Sequence, residues 1–212
     1  GSYGTATVIN STLSGGSASW GGGGFYNGGT MNVTNSVVAN NTSSNCYAFY
    51  SIGGSNNLAN DGSCGANFTN SSAIVLSPLA SYGGPTPTLA LLPGSAAIDA
   101  GNDAICAAAP VSSLDQRGVV RAQGAHCDIG AFESREFTLT ISGGDHQTTH
   151  SNAAFPNPLA VDVTSASGDP VNGGKVTFTA PASGAGTNPA TNIATVAGGA
   201  VSQSVTANAM GG

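Results

Sequence analysis

The side chains able to do chemistry gather in one stretch of the 212-residue chain. Asp99, Asp103, Asp115, Asp128 and Glu133 supply carboxylates, Arg117 and Arg121 supply cations, and His126 an imidazole. Paired carboxylates are what acid–base cleavage of a glycosidic bond requires, and converging oxygens are what Ca²⁺ requires. The bland alternative is structural. Asp115 or Asp128, paired with Arg117 or Arg121 through charge-assisted hydrogen bonds, would order a polar layer that closes a stack of repeats. The cap is the preferred reading, because residues 1–98 contain a single charged side chain, Asp61, and offer the carboxylates nothing to work with. No Gly-x-Ser-x-Gly elbow or Gly-Lys-Ser/Thr phosphate loop occurs. No enzymatic activity, catalytic residue, metal or other cofactor is therefore expected, with Ca²⁺ the nearest candidate.

The four cysteines, Cys46, Cys64, Cys106 and Cys127, form no Cys-x-x-Cys pair, and His126 beside Cys127 lacks partners at zinc spacing. Their even number points to disulfides and an oxidising compartment. Of the three pairings, the sequential one, Cys46–Cys64 and Cys106–Cys127, closes two short loops and is the one expected.

The elements that must carry these residues are short strands. Gly 32 and abundant Ser, Thr and Asn favour turns over helices. Charged residues make up 7% of the chain while hydrophobic ones reach 40%, so a core forms under a surface of hydroxyls and amides. The net charge of −6 and the four scattered basic residues Arg117, Arg121, Arg135 and Lys175 argue against nucleic acid and anionic membrane surfaces. No apolar run is long enough to span a bilayer. The chain opens on Gly1-Ser2-Tyr3, as a mature product or an excerpt would.

An internal repeat governs the first third. Gly4-Thr5-Ala6-Thr7-Val8-Ile9-Asn10-Ser11-Thr12-Leu13 aligns with Gly29-Thr30-Met31-Asn32-Val33-Thr34-Asn35-Ser36-Val37-Val38. Each unit reads as alternating strands, with Thr7 out, Val8 in, a turn at Asn10-Ser11 and Leu13 in. Such a unit cannot bury its apolar face alone, but stacked units can. Asn10 over Asn35 would form an amide ladder that Asn56-Asn57 continues. Glycines between the units allow tight corners, at whose edge Phe25 and Tyr26 pack or stack.

The stretch Gly22-Gly23-Gly24-Phe25-Tyr26-Asn27-Gly28-Gly29-Thr30, with Val33-Thr34-Asn35-Ser36-Val37 after it, resembles the GGGIYN-type repeats of secreted bacterial right-handed β-helix proteins. Gly83-Gly84-Pro85-Thr86-Pro87-Thr88, Ile98-Asp99-Ala100-Gly101, Asp115-Gln116-Arg117-Gly118 and Cys127-Asp128-Ile129-Gly130-Ala131-Phe132-Glu133 resemble the end of the choice-of-anchor β-helix family. The likeness covers roughly residues 4–133. It implies a long, exported, repetitive protein without catalytic residues, and its usual cysteine positions agree with the sequential pairing.

Composition shifts after Glu133. Five short runs follow, beginning at Phe137, Leu159, Lys175, Ile193 and Val201, separated by turn signals such as Ser167-Gly168-Asp169-Pro170. This spacing suggests an antiparallel sandwich. Phe155-Pro156-Asn157-Pro158-Leu159, Gly168-Asp169-Pro170-Val171, Val176-Thr177-Phe178-Thr179-Ala180-Pro181 and Val205-Thr206-Ala207-Asn208 resemble an invasin-type bacterial Ig-like domain, a family of spacers and adhesive modules. The expected fold is thus all-β: residues 1–133 a right-handed parallel β-helix of few coils with its C-terminal cap, 134–137 a linker, and 138–212 an Ig-like antiparallel β-sandwich. Its last strand would fall beyond Gly211-Gly212, which leaves an edge that a neighbour's strand could fill, with Ser2 to Ile9 as a candidate donor.

These features lead to a non-catalytic extracellular or cell-surface protein of structural or adhesive type, joined to copies of itself or to neighbouring domains. The rival reading is a module that binds surface glycans through Trp20, Phe25, Tyr26, Tyr47 and Tyr50, which requires those rings to be exposed. A third, a polysaccharide lyase or glycosidase acting through Asp99, Asp115 or Asp128, is disfavoured. Asn-x-Ser/Thr triplets at Asn10, Asn32, Asn40, Asn41, Asn67 and Asn70 are candidate glycan acceptors, with Asn32, Asn40, Asn67 and Asn70 preferred and Asn10 expected to face inward.

Overall fold

A computed structural model describes residues 4–210. Among the described residues the chain is all-β, with a five-residue helix α1 (Asp103–Ala107) and a short 3₁₀ turn at Gly62–Cys64 besides its strands. It divides into two compact units, one formed by residues 1–91 and 95–135, the other by 92–94 and 136–212. Gly1–Tyr3 and Gly211–Gly212 lie outside the described residues, as do the start of the Ser2–Ile9 segment and the expected end of the second module.

In the first unit, successive repeats lay their strands beside one another. The first repeat contributes β1 (Thr5–Ile9) and β2 (Thr12–Ser14). The second contributes β3 (Phe25–Asn27), β4 (Thr30–Thr34) and β5 (Val37–Ala39). The third gives β6 (Cys46–Ala48), β7 (Ile52–Gly53) and β8 (Asn57–Ala59), followed by β9 (Phe68–Asn70). They form three parallel sheets ordered β1-β4-β7, β2-β5-β8-β9 and β3-β6. Thr5 stands opposite Thr30 and Val8 opposite Val33, the 25-residue offset read in the sequence. The next step is 21 residues, with Phe25 opposite Cys46 and Val37 opposite Leu58. Thr5–Ile9, a candidate donor strand, is therefore paired inside its own unit.

The corner between sheets is made by asparagine. Asn10, Asn35 and Asn56 have φ of 43°, 48° and 60°, a left-handed conformation that Asn tolerates better than other side chains bearing a Cβ. Asn56 Nδ2 donates to Asn35 Oδ1 at 2.8 Å, one rung of the expected ladder. The other rung differs. Asn10 and Asn35 both turn their amides toward Cys106 Sγ, at 3.2 and 3.5 Å.

Two cores flank the sheet β2-β5-β8-β9. Val38 and Ala59 face one with Met31, Val33, Cys46, Ile52 and Phe68. Val37, Ala39 and Leu58 face the other, whose far wall is Ile74, Ala90, Leu91, Ala97, Ile129 and Phe132. Residues 74–91 and 95–132 thus cover the outer face of a parallel sheet. From the sequence, a polar layer is expected across the end of the stack. Instead the segment reaches three successive repeats from the side, through Ala131 N to Thr12 Oγ1, Gly130 N to the Asn35 carbonyl, and Asn56 Nδ2 to the Ala100 carbonyl. The reason is packing: Val37 and Leu58 are apolar on the outer face and must be sealed from water.

Among its described residues, the second unit holds two antiparallel sheets. One, ordered β10-β11-β14, comprises β10 (Thr138–Gly143), β11 (Leu159–Thr164) and β14 (Ala200–Gln203). The other pairs β12 (Lys175–Thr179) with β13 (Thr191–Thr195). Val163, Val176, Val196 and Val201 form its core.

Candidate functional site

The acidic and basic side chains of residues 99–133 do come together: Asp115, Arg121, Asp128 and Glu133 are buried, whereas Asp99, Asp103 and His126 lie at an exposed rim. Asp115 opens a turn: its Oδ1 accepts from Arg117 N at 2.7 Å and Val119 N at 2.9 Å, and Gly118 supplies the positive φ of 86° that the turn needs. Its Oδ2 takes the Arg117 guanidinium at 2.8 Å and Glu133 N at 3.0 Å. The same guanidinium lies 3.5 Å above the Phe132 ring.

Arg121 reaches a partner the sequence reading did not choose. Its Nη1 pairs with Glu133 Oε2 at 3.1 Å and donates to the Asp128 carbonyl at 3.0 Å, while Nη2 donates to the Gly130 carbonyl at 2.8 Å. The Asp128 carboxylate instead accepts from Asp99 N at 2.7 Å and from Ser134 Oγ at 2.7 Å. Glu133 also accepts from Gln123 N at 3.0 Å and Asp128 N at 2.9 Å. Burial pushes the Glu133 carboxyl up to about 7, with neighbouring Asp128 adding to the rise against its backbone donors and Arg121. Burial likewise raises Asp128 and lowers Arg121. A glycine is obligatory at Gly130, where φ is 107° and a Cβ would sit 2.7 Å from Thr12 Oγ1.

At the rim, Asp103 Oδ2 lies 2.8 Å from His126 Nδ1 and its Oδ1 accepts from Cys127 N at 2.8 Å. Asp99 accepts from His126 N at 3.2 Å. The His126 hydrogen bond and charge attraction hold His126 above, and Asp103 below, their ordinary values. Among the described residues, no group of three or more His, Cys, Asp or Glu is placed to hold a metal ion. Chemically the ionic cluster is a closed set of donors and acceptors that ties loop to loop. The disulfides Cys46–Cys64 and Cys106–Cys127 are both present, the second anchoring α1 to the same segment.

The aromatic side chains behave in the opposite way. Tyr26 and Tyr47 are opposite each other in the β3–β6 register, and their rings stack at 5.5 Å with 3° between planes. Phe49, two residues beyond Tyr47, meets both edge-on at 5.8 and 5.4 Å. Tyr26 is 56%, Tyr47 41% and Phe49 63% exposed. Tyr50 and Trp20 are exposed too, whereas Phe25 turns inward against the core. Phe49 is not among the rings singled out from the sequence; it sits in the bend just past β6, two residues from Tyr47, and its ring meets Tyr47 there.

The candidate glycan acceptors fall into two groups. Asn32, Asn40, Asn67 and Asn70 are exposed, but Asn67 Nδ2 donates to the Ile52 carbonyl and Asn40 is paired with Asn60. Asn10 is buried, and Asn41 Nδ2 donates to the Leu13 and Ala39 carbonyls. No helix among the described residues is long and apolar enough to cross a membrane. Comparisons with family models, with curated proteins and with solved structures find no match.

Proposed function

We propose that the chain is part of a non-catalytic extracellular surface protein, structural or adhesive in role. In this reading the three parallel sheets are faces of a right-handed β-helix, residues 74–133 brace it, and the antiparallel unit is an Ig-like module. The observation that carries the reading is the location of the ionisable groups. Asp115, Asp128, Glu133 and Arg121 are sealed within the fold and hydrogen-bonded to one another or to backbone. The exposed surface is rich in hydroxyls and amides and also presents aromatic and aliphatic side chains, a chemistry suited to contact. Two disulfides suit an oxidising exterior.

Self-association is the form of contact that the antiparallel unit favours. Leu139 and Ile141 on β10 share the sheet face of Val163 and Val161, their register partners, yet are 53% and 69% exposed. β10 is an edge strand, so an extended strand from a second copy could pair with it and cover both side chains. Sedimentation velocity over a concentration series, with electron microscopy of the native material, tests this. Ordered fibres or concentration-dependent oligomers that Ile141→Lys abolishes are expected; dispersed monomers throughout would sink the assembly reading. Incubation with a panel of polysaccharides tests the absence of catalysis, and sugar release lost in Asp115→Asn or Asp128→Asn variants that still fold would overturn it.

A further inference from the structure

We infer that the aromatic cluster on the β3–β6 face is a binding site for a neutral glycan, an uncharged polysaccharide or oligosaccharide whose pyranose faces lie on the exposed rings. This goes beyond the surface-protein reading by assigning a ligand, and it stands whether or not the chain self-associates.

Four observations carry it. First, the rings are ordered despite their exposure. Tyr26 and Tyr47 stack face to face, and Phe49 locks both edge-on. A rigid apolar surface loses little conformational freedom on binding. Second, two of the three rings stand on paired strands, Tyr26 and Tyr47 occupying one register position of a parallel pair, and Phe49 follows directly on β6 with its N–H donating to the Asn27 carbonyl at 3.0 Å. Third, Phe49 also walls an adjoining hollow lined by Tyr50, Ser51, Ser63 and Asn67, where the Tyr50 and Ser51 hydroxyls lie beside the rings while Ser63 Oγ and Asn67 Nδ2 are held by Asp61 and by the Ile52 carbonyl. Rings with a few convergent polar groups are what a sugar requires, because each pyranose has an apolar C–H face and a hydroxyl rim. Fourth, the surroundings carry almost no charge. Asp61 is the one charged side chain in residues 1–98, and its carboxylate is occupied by Asn45 N and by Ser63 N. A phosphate, sulfate or uronate would find no cation to offset its desolvation, and a polyamine no free anion.

Trp20 reports on the site. It is the chain's one tryptophan, 93% exposed, and the next residue, Gly21, packs against Tyr47, where a Cβ would come within 3.3 Å of the ring. The test uses the full chain. Its migration is measured in native gels containing uncharged glucans or mannans, or in parallel a polyuronate. Trp20 emission is followed during titration with the matching oligosaccharides. At least one neutral polymer should retard the protein. Tyr47→Ala and Phe49→Ala should each weaken binding by roughly tenfold, while Tyr47→Phe, which keeps the ring, should stay within about threefold of the parent. Circular dichroism and the unfolding midpoint establish that each variant is folded. Three results would overturn the assignment: no neutral polymer retards the protein; folded alanine variants bind as well as the parent; or the polyuronate alone binds and salt removes it. The first two leave the non-catalytic surface-protein reading intact, since that reading is decided by sugar release and assembly.

Discussion

Glu133 and His126 show how position within one cluster sets behaviour. Glu133 is buried with its folded pKa raised from 4.5 to about 7. A raised carboxyl favours the folded state most at low pH, so this contribution is present below about 4.5 and fades as pH climbs to about 7. The first unit should lose on the order of 3 kcal/mol across that window, measurable by urea unfolding at a series of pH values. Glu133→Ala should flatten that slope and cost about 3–5 kcal/mol at neutral pH, because Arg121 is left buried without its partner. His126 and Asp103 are solvent-exposed, so theirs is a titration signature. The raised His126 contribution is present below 6.5 and lost as pH rises through its folded value. The lowered Asp103 contribution is present above 3.8 and lost as pH falls through its own. An NMR titration should place His126 above 6.5, and Asp103→Asn should return it toward that value. These residues were visible in the sequence as a charged cluster, but their pairing was not. Arg121 and Glu133 are brought together across the irregular segment 122–132, which bends at Gly130, and no spacing rule links two residues across such a loop.

The asparagine corners are where local conformation and packing meet. Asn35 is left-handed, accepts from Asn56 Nδ2 and Asn102 N, and donates to the Asn102 carbonyl. Asn35→Ala should destabilise the first unit by about 2–3 kcal/mol, combining backbone strain with lost buried hydrogen bonds. Asn35→Gly should recover roughly 1 kcal/mol of that, the strain alone; equal losses in thermal unfolding would show that the backbone does not matter. The Cys106–Cys127 bridge closes a loop of separation 21 beside this corner. Replacing both cysteines by serine should cost about 2–4 kcal/mol, read from the same unfolding curves. The repeat offset, the strand alternation and the sequential disulfides were legible because each is written in short-range pattern. The cover over the β2-β5-β8-β9 sheet was not, because the segment that supplies it has little regular secondary structure. One clue was available: the consecutive apolar run Val37-Val38-Ala39, a sign of a strand buried on both faces.

At the scale of the molecule, two compact units with separate cores should unfold separately. Calorimetry should resolve two transitions, of which Glu133→Ala lowers one; a single transition that shifts as a whole would contradict this. The covering segment has a further consequence, visible in one column of the parallel register. Thr12, Val37, Leu58 and Thr69 stand side by side across β2, β5, β8 and β9. The two middle positions are oily and lie beneath the segment, while the margins carry hydroxyls, of which Thr12 Oγ1 meets only the segment's edge by accepting from Ala131 N. That column is a gauge of the cover's width. An array lengthened by further repeats would need threonine-like residues there, unless residues 74–132 grew to match, so the number of aliphatic side chains in this single column reports how many repeats the brace can shelter.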